Sequence, residues 1–135
     1  MNEQQQIKAQ QQRWNPEIDF DLRYYVAGPM TGYENYNYPY FAEVAAILRQ
    51  TGLLIESPHE NPWPEGHKKM SNSDLWKYMM EVTDAQLSKC QGIILLKGWP
   101  QSTGACIELS KAMTKNWPVY YYHDYQLISM NKVES

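Results

Sequence analysis

A short apolar segment at residues 24–27 runs directly into a turn that contains two glycines and a proline, at residues 28–32. A strand that ends in such a turn exposes backbone amides, and glycine lets another group approach the main chain closely. In open α/β sheets, this carboxyl edge of the strands is where ligands bind. The turn therefore predicts one half of a pocket at the edge of an α/β sheet.

A second turn of the same kind predicts the other half of the pocket. The apolar segment at residues 92–96 is followed by the small residues Ser102, Thr103 and Gly104, which mark the start of a helix. Glu108 follows in the early turns of that helix. Together the two turns indicate a site of the size of a nucleotide.

Strand and helix patterns alternate along the whole chain, which is typical of a parallel sheet with right-handed crossovers. We predict one α/β domain, with a parallel sheet of four to five strands and helices on both faces. The predicted strands are residues 24–27, 53–55 (a buried strand), 92–96 and 117–122, and the predicted helices begin near Pro39, Ser73 and Gly104. Residues 61–73 contain two prolines and a glycine, and they predict a loop long enough to fold over a site.

Length and charge exclude several classes of protein. A chain of 135 residues is one domain on ordinary size grounds. Its formal net charge of −3 argues against a partner that is a nucleic acid. No segment approaches the roughly 20 apolar residues that span a bilayer, and the N-terminus lacks an apolar signal core. We therefore expect a cytoplasmic protein with no membrane partner.

The cysteines and histidines show no spacing typical of a metal site. Cys90 and Cys106 stand apart, and we interpret both as reduced thiols in the core. The histidines are predicted to lie on the surface or in the core, except that His59 follows the second strand and is a candidate for the site. We expect neither a metal nor another cofactor.

The first 22 residues differ from the rest in composition. Residues 4–12 are rich in glutamine and carry little apolar surface, so they predict a frayed arm or a helix that contacts a partner. The folded domain is predicted to occupy residues 23–135.

Two carboxylates are candidates for catalysis. Glu108 can point back toward the glycine turn, although a solvated glutamate near Lys111 is the alternative. Asp84 precedes it by one helix end and one strand, and paired carboxylates suit glycosidic cleavage, in which one attacks the sugar carbon and the other carries a proton. Ser102 at a helix N-terminus suits a phosphate, although an ordinary helix cap is the alternative.

The chain resembles the small nucleoside 2-deoxyribosyltransferase-like proteins that are common in bacteriophage and prophage genomes. The resemblance lies in YVAGPMTG at residues 25–32, NYPYF at 37–41, CQGIILLKGW at 90–99, STGA at 102–105, and Glu108. It covers about residues 24–122. It implies a Rossmann-like or flavodoxin-like fold, a homo-oligomer, and a small-molecule nucleotide or nucleoside as the partner.

The resemblance also implies roles for individual residues. Glu108 matches a nucleophile that attacks the sugar C1′, and Ser102, six residues earlier, matches a phosphate-binding serine. The candidate substrate-binding residues are Gly28, Pro29, Met30, Thr31, Gly32, Asn35, Asn37, His59, Ser102 and Gly104.

The chain departs from the family pattern in two ways. Pro29 and Thr31 stand where phosphate-binding residues are expected, and the expected aspartate falls on Thr83, next to Asp84. A change of one residue rotates a helical side chain by about 100°. Asp84 is therefore a conditional proton carrier.

Three functions remain as hypotheses. The first is an N-glycosidase that acts on a (deoxy)nucleoside 5′-monophosphate through Glu108. The second is a nucleoside 2-deoxyribosyltransferase that uses the same covalent intermediate. The third, suggested by the two departures, is a catalytically inactive nucleotide-binding protein of phage origin.

Overall fold

The apolar segments of the sequence pair into one five-stranded sheet. The structure, a computed structural model, describes residues 2, 3, 5 and 18–131. The strands are β1 (Arg23–Ala27), β2 (Leu54–Glu56), β3 (Gly92–Leu95), β4 (Val119–His123) and β5 (Gln126–Ser129), and their order is β2-β1-β3-β4-β5. The first four pair in parallel, and β5 pairs antiparallel with β4. The predicted α/β domain with four to five strands is confirmed.

Three α-helices of the described chain cover both faces of the sheet, as predicted. They are α1 (Tyr38–Gln50), α2 (Asn72–Leu87) and α3 (Thr103–Thr114). Successive strand residues point to opposite faces, so β1 sends Tyr24 and Val26 to the core beneath α1. Tyr25 and Ala27 point to the other face, into the core shared with α2 and α3.

Serine side chains set the start of the two helices on the second face. The Ser71 hydroxyl accepts a hydrogen bond of 3.1 Å from the amide of Asp74, and the Ser102 hydroxyl accepts one of 3.1 Å from the amide of Ala105. Such caps satisfy amides that have no partner within the helix. Each helix therefore begins one residue before its predicted start.

The predicted buried strand at residues 53–55 is buried on one face only, because Leu53 and Ile55 are each 3% exposed whereas Leu54 is not buried. The observed strand, β2, lies at the edge of the sheet and pairs only with β1, which leaves Leu54 41% exposed. The antiparallel direction of β5 also has a local cause, because a two-residue turn joins it to β4. Asp124 and Tyr125 adopt left-handed conformations there, with φ of 45° and 63°, as tight hairpin turns require.

The prediction that both cysteines lie in the core is half wrong. Cys90 is buried, whereas Cys106 is exposed. Its neighbour Ala105 faces the sheet, and one residue along a helix turns the side chain by about 100°. Cys106 therefore points to the solvent side of α3.

The predicted N-terminal arm lies largely outside the described residues. Of its last five residues, which are described, Ile18 is 5% exposed and belongs to the core beneath α1. The backbone carbonyl of Asp19 accepts a hydrogen bond of 2.9 Å from the Tyr24 hydroxyl. Contacts of the core therefore extend five residues before β1.

Tyr24 fills the space above Gly92 in the neighbouring strand. The two residues are paired in register, and a Cβ atom at Gly92 would lie 2.5 Å from Cδ1 of the Tyr24 ring. The ring is fully buried and tied to Asp19, so it has no free space into which to move. Glycine at this position is required by the close approach of the ring.

We expect Gly92→Ala to lower the free energy of unfolding by about 2 kcal/mol, as overpacking of a closed core does. Chemical denaturation would measure the change. Gly104→Ala is the matched control, because its Cβ would meet only Met80 Sδ at 3.4 Å and alanine favours a helix. Equal stability of the wild type and Gly92→Ala would contradict this account of the core.

Candidate functional site

The strand order places a crevice at the carboxyl ends of β1 and β3. The chain leaves β1 for α1 on one face of the sheet and leaves β3 for α3 on the other face. In doubly wound folds, ligands bind where neighbouring strands diverge in this way. The loops that follow β1 and β3 both lie at that edge.

These two loops touch each other at Gly98, which follows β3. Gly98 has a φ of 89°, and a Cβ atom there would lie 3.0 Å from the Tyr33 hydroxyl oxygen and 3.1 Å from Pro29 Cγ. Glycine is favoured both by its left-handed conformation and by this contact. The structure thus brings the two predicted turns together.

The residues of the glycine turn divide into a buried and an exposed part. Gly28 is buried, and a Cβ atom there would lie 3.0 Å from Cβ of Leu96, so this glycine serves the packing of β1 against β3. Met30 is partly buried against the core beneath α1. Thr31 and Gly32 are exposed, so they are the members of the turn that a ligand reaches directly.

Asn35, Tyr36 and Asn37 form a left-handed turn before α1. Their φ angles are 49°, 54° and 63°, and each such residue costs about 1–2 kcal/mol unless surrounding contacts hold it. The Asn37 side-chain amide donates a hydrogen bond of 3.0 Å to the carbonyl of Pro29. Asn37 thus fixes the turn against the glycine turn, and Asn35 is exposed.

An aromatic side chain from the predicted loop at residues 61–73 covers this turn. The ring centroid of Trp63 lies 4.5 Å from that of Tyr36 and 5.5 Å from that of Tyr38. His67 stacks on Trp63 at 5.1 Å. The loop is therefore packed onto the left-handed turn beside the crevice.

Glu108 lies buried between α3 and the sheet. It is 6% exposed, and its Oε2 accepts a hydrogen bond of 2.7 Å from the Tyr25 hydroxyl. Tyr25 is 1% exposed and stands on β1, two residues before the strand ends. The alternative of a solvated glutamate is excluded for this chain, because the carboxyl group faces the sheet.

Burial is the main influence on the charge of this group. Loss of solvent raises the pKa of Glu108 to about 7, although hydrogen bonds from Tyr25 and Thr83 and the charge of Lys111 act in the opposite direction. A carboxyl group with this pKa is about half ionised at neutral pH. It can therefore serve as a nucleophile or as a store for a proton.

Thr83, and not Asp84, faces Glu108 from α2. Thr83 is 3% exposed, and its hydroxyl acts on both Glu108 and Tyr25. Its contact of 3.3 Å with the carbonyl of Met80 is long, so the hydroxyl proton is free to rotate. The Asp84 side chain is 54% exposed and accepts a bond of 2.5 Å from Lys111 Nζ on α3.

Ser102 and Gly104 lie at the N-terminus of α3, two turns and one turn before Glu108. Ser102 is the helix cap described above. Capping, the alternative to phosphate binding, is therefore at least one role of this serine. Gly104 lies near Met80 on α2. The absence of a side chain at this position brings the two helices close together beside Glu108.

His59 is anchored to the segment that follows β2. Its Nδ1 lies 2.7 Å from the Ser57 hydroxyl, and burial lowers the pKa of the ring. The carbonyl of Ser57 accepts a bond of 2.9 Å from the side chain of Gln86 on α2. These contacts fix the segment of His59 beside α2, and within the described part of the chain no hydrogen bond joins His59 to Glu108.

Two cavities lie away from Glu108. One of about 420 Å³ lies between α2 and the edge of the sheet and is lined by Glu56, Asn61 and Glu81 among others. The other, of about 280 Å³, lies between α1 and the hairpin of β4 and β5. The carboxyl group itself is nearly closed off from solvent.

Neither a cluster of metal-binding side chains nor a membrane-spanning helix occurs among the described residues. Among them, no group of three or more His, Cys, Asp or Glu side chains is arranged to hold a metal ion. None of the helices in this part of the chain is long and apolar enough to cross a bilayer.

The sequence prediction did not include Tyr25 in the site. Its signal was present in the alternation of β1, because Tyr25 shares a face with Ala27 and that face receives α3. A polar hydroxyl on a buried strand needs a partner, and Glu108 is that partner.

The chain belongs to the family described as Domain of unknown function (DUF4406), which matches residues 22–129. Its fold is similar to that of a 2-deoxyribosyltransferase from the psychrotolerant bacterium Bacillus psychrosaccharolyticus, with a TM-score of 0.57 and 17% sequence identity. That similarity covers 76% of this chain and 87% of the other. A comparison with curated protein sequences finds no match. The fold expected from the resemblance is thereby supported.

We expect Glu108→Gln to change how stability depends on pH. Folding raises the pKa of Glu108 from 4.5 to about 7, so its protonated form stabilises the native state. That contribution is complete below pH 4.5 and is lost as the pH rises through 7. Between pH 6 and 8, the wild type should lose about 1 kcal/mol more unfolding free energy than the variant.

Urea denaturation at pH 6, 7 and 8 would measure this difference. Glu81→Gln, at an exposed position on α2, is the control and should follow the wild type. Parallel curves for the wild type and Glu108→Gln would show that the buried carboxyl group does not titrate in this range.

Proposed function

We propose that the protein cleaves the N-glycosidic bond of a nucleoside or a (deoxy)nucleoside 5′-monophosphate, with Glu108 as the nucleophile. The observation that carries the proposal is the hydrogen bond of 2.7 Å from Tyr25 to a carboxyl group that is 6% exposed. A carboxyl group held in this way has a fixed orientation and little water around it. Both properties favour attack on a carbon atom.

The mechanism has two steps. In the first, an oxygen of Glu108 attacks C1′ of the sugar, the bond to the base breaks, and a glycosyl ester forms. Tyr25 bonds Oε2, and we assign the attack to the other carboxyl oxygen. In the second step, water adds to C1′ and releases the free sugar.

The N-terminus of α3 is the proposed phosphate site. The first amides of a helix have no partner within it and favour an anion. Ser102 accepts the amide of Ala105 through its oxygen, and its own proton stays available to a phosphate oxygen. The exposed Thr31 and Gly32 approach from the opposite turn.

The exposed edge of the sheet supports a homo-oligomer as part of this proposal. Ile128 on β5 is 46% exposed, and Met130 and Tyr125 beside it are 47% and 59% exposed. An edge strand that carries apolar side chains is a ready surface for pairing. We further propose a cytoplasmic location.

Turnover of a nucleotide panel tests the nucleophile. We expect the wild type to release free base at pH 8, where Glu108 is mostly ionised, and we expect Glu108→Gln to lower the rate at least about 1,000-fold. Chromatography of the products would measure both rates. Glu81→Gln serves as the control and should keep the wild-type rate.

Full activity of Glu108→Gln would exclude Glu108 as the nucleophile. Binding of an unaltered nucleotide by the wild type, with no turnover of any compound in the panel, would favour a binding protein instead.

The second candidate function is transfer of the sugar to another base. It is favoured by the likeness in fold to a protein named as a 2-deoxyribosyltransferase. Burial of Glu108 also favours it, because a glycosyl ester shielded from water survives until an acceptor base arrives.

Addition of an acceptor base to the reaction distinguishes the two functions. Transfer would produce a new nucleoside with the acceptor base and would suppress the release of free sugar. Hydrolysis would produce free sugar at a rate that does not depend on the acceptor. Mass spectrometry of the products would measure the partition between the two outcomes.

A further inference from the structure

The surroundings of Glu108 supply a nucleophile but no matching acid. When the bond between C1′ and a neutral base breaks, the electron pair stays on the base, and a positioned acid normally supplies a proton. Among the described residues, the groups that hydrogen-bond to Glu108 or act on its charge are Tyr25, Thr83, Lys111 and Asp84. Each can be considered as the missing acid.

The two hydroxyl groups are unsuited to this role. Tyr25 directs its proton at Glu108, and burial together with the charge of Glu108 raises the pKa of Tyr25 well above its usual value. The Thr83 hydroxyl is aliphatic and is a still weaker acid. Neither group gives up a proton to a departing base at neutral pH.

The ion pair of Asp84 and Lys111 is unsuited to the role of the acid for a different reason. Asp84 follows Thr83 on α2, and its side chain turns away by about 100°, to the ammonium group of Lys111 at 2.5 Å. This ion pair engages the Asp84 carboxylate on the exposed side of α2. The Lys111 side chain is 44% exposed, and its ammonium group lies beside Asp84 on the solvent side of the two helices.

The side chains along α2 suit a flat ring that carries a positive charge. Trp76, Met80 and Thr83 recur at the spacing of one helix face, and Trp76 is 40% exposed. Indole rings and thioether groups attract cationic rings. Met80 lies next to Gly104, one turn before Glu108, so this face leads toward the carboxylate.

We propose that the substrate is a nucleoside or nucleotide whose base already carries a positive charge in the ring bonded to C1′. N-ribosylated pyridinium compounds and N7-alkylated purines belong to this class. The inference rests on the proposed function and names the substrate class of the same site. A base of this kind departs as a neutral molecule, so the absence of an acid beside Glu108 is no obstacle.

The step balances without a further reactant. A carboxylate oxygen of Glu108 forms the bond to C1′, and the electron pair of the broken C1′–N bond neutralises the charge on the ring. Water then attacks C1′, the ester bond to Glu108 breaks, and one proton is released to solvent. The products are the neutral base, the sugar or sugar phosphate, and that proton.

Two matched pairs of compounds test this inference at pH 8. The first pair is N7-methylguanosine 5′-monophosphate and guanosine 5′-monophosphate, and the second is nicotinamide mononucleotide and its uncharged reduced form. Each pair shares its sugar and phosphate. Release of base is measured by chromatography, and the rate with Glu108→Gln is subtracted as the background.

We expect kcat/KM to be at least about 100-fold higher for the charged member of at least one pair. Equal rates within both pairs, or faster cleavage of ordinary uncharged nucleotides than of both charged compounds, would overturn the inference and leave the proposed function intact. Failure to cleave any charged or uncharged compound would overturn both.

Thr83→Asp provides a second test, because it places a carboxyl group beside Glu108, where the site has no acid to protonate a departing base. We expect this variant to cleave guanosine 5′-monophosphate faster than the wild type does. The ratio of kcat/KM for the charged compound to kcat/KM for the uncharged compound should fall at least about tenfold. Ala85→Asp, exposed on the same helix, adds the same charge elsewhere and should leave the ratio unchanged. A folded Thr83→Asp protein with the wild-type ratio would contradict the inference, and the two pairs decide alone if this variant does not fold.

Discussion

The arrangement of the candidate site depends on the hydrogen bond between Tyr25 and Glu108. Burial of a carboxyl group costs free energy unless the group is hydrogen-bonded or protonated. Glu108 accepts a hydrogen bond from Tyr25, and its raised pKa keeps part of the population protonated at neutral pH. The bond joins the inner strand β1 to α3 and so helps to fix how the helix lies on the sheet. The burial of Glu108 against Tyr25 therefore determines both the orientation of this carboxyl group and its raised pKa.

Much of the fold follows from local patterns in the sequence. Apolar residues of α1 recur at helical spacing, and Phe41, Val44 and Leu48 are buried as that spacing predicts. The continuous apolar segment at residues 92–96 forms the central strand β3, buried on both faces. These elements were predictable because each has enough apolar surface to determine its own orientation.

The elements that were predicted wrongly depend on partners distant in the chain. Whether β2 is buried depends on how many strands flank it, and its few residues carry no information about that number. The position of Cys106 depends on a rotation of one residue about α3. A single sequence indicates which residues form an element, but the angle at which neighbouring elements meet comes from packing over the whole domain.

The site was predictable to a similar degree. Glu108 and the two turns follow from motifs, and the structure brings the turns together at Gly98. The partnership with Tyr25 links residues 83 positions apart, and no local pattern encodes such a distance. The family pattern leaves the choice between Thr83 and Asp84 open, and the observed burial of Thr83 shows why one residue matters there.

The Asp84–Lys111 ion pair joins α2 to α3 on their solvent side, and both of its side chains are about half exposed. Pairs in that setting contribute little to stability and weaken further as salt rises. The two helices also meet where Met80 lies next to Gly104 and where the Thr83 hydroxyl acts on Glu108. The exposed ion pair therefore offers little electrostatic resistance to a separation of the two helices on this side.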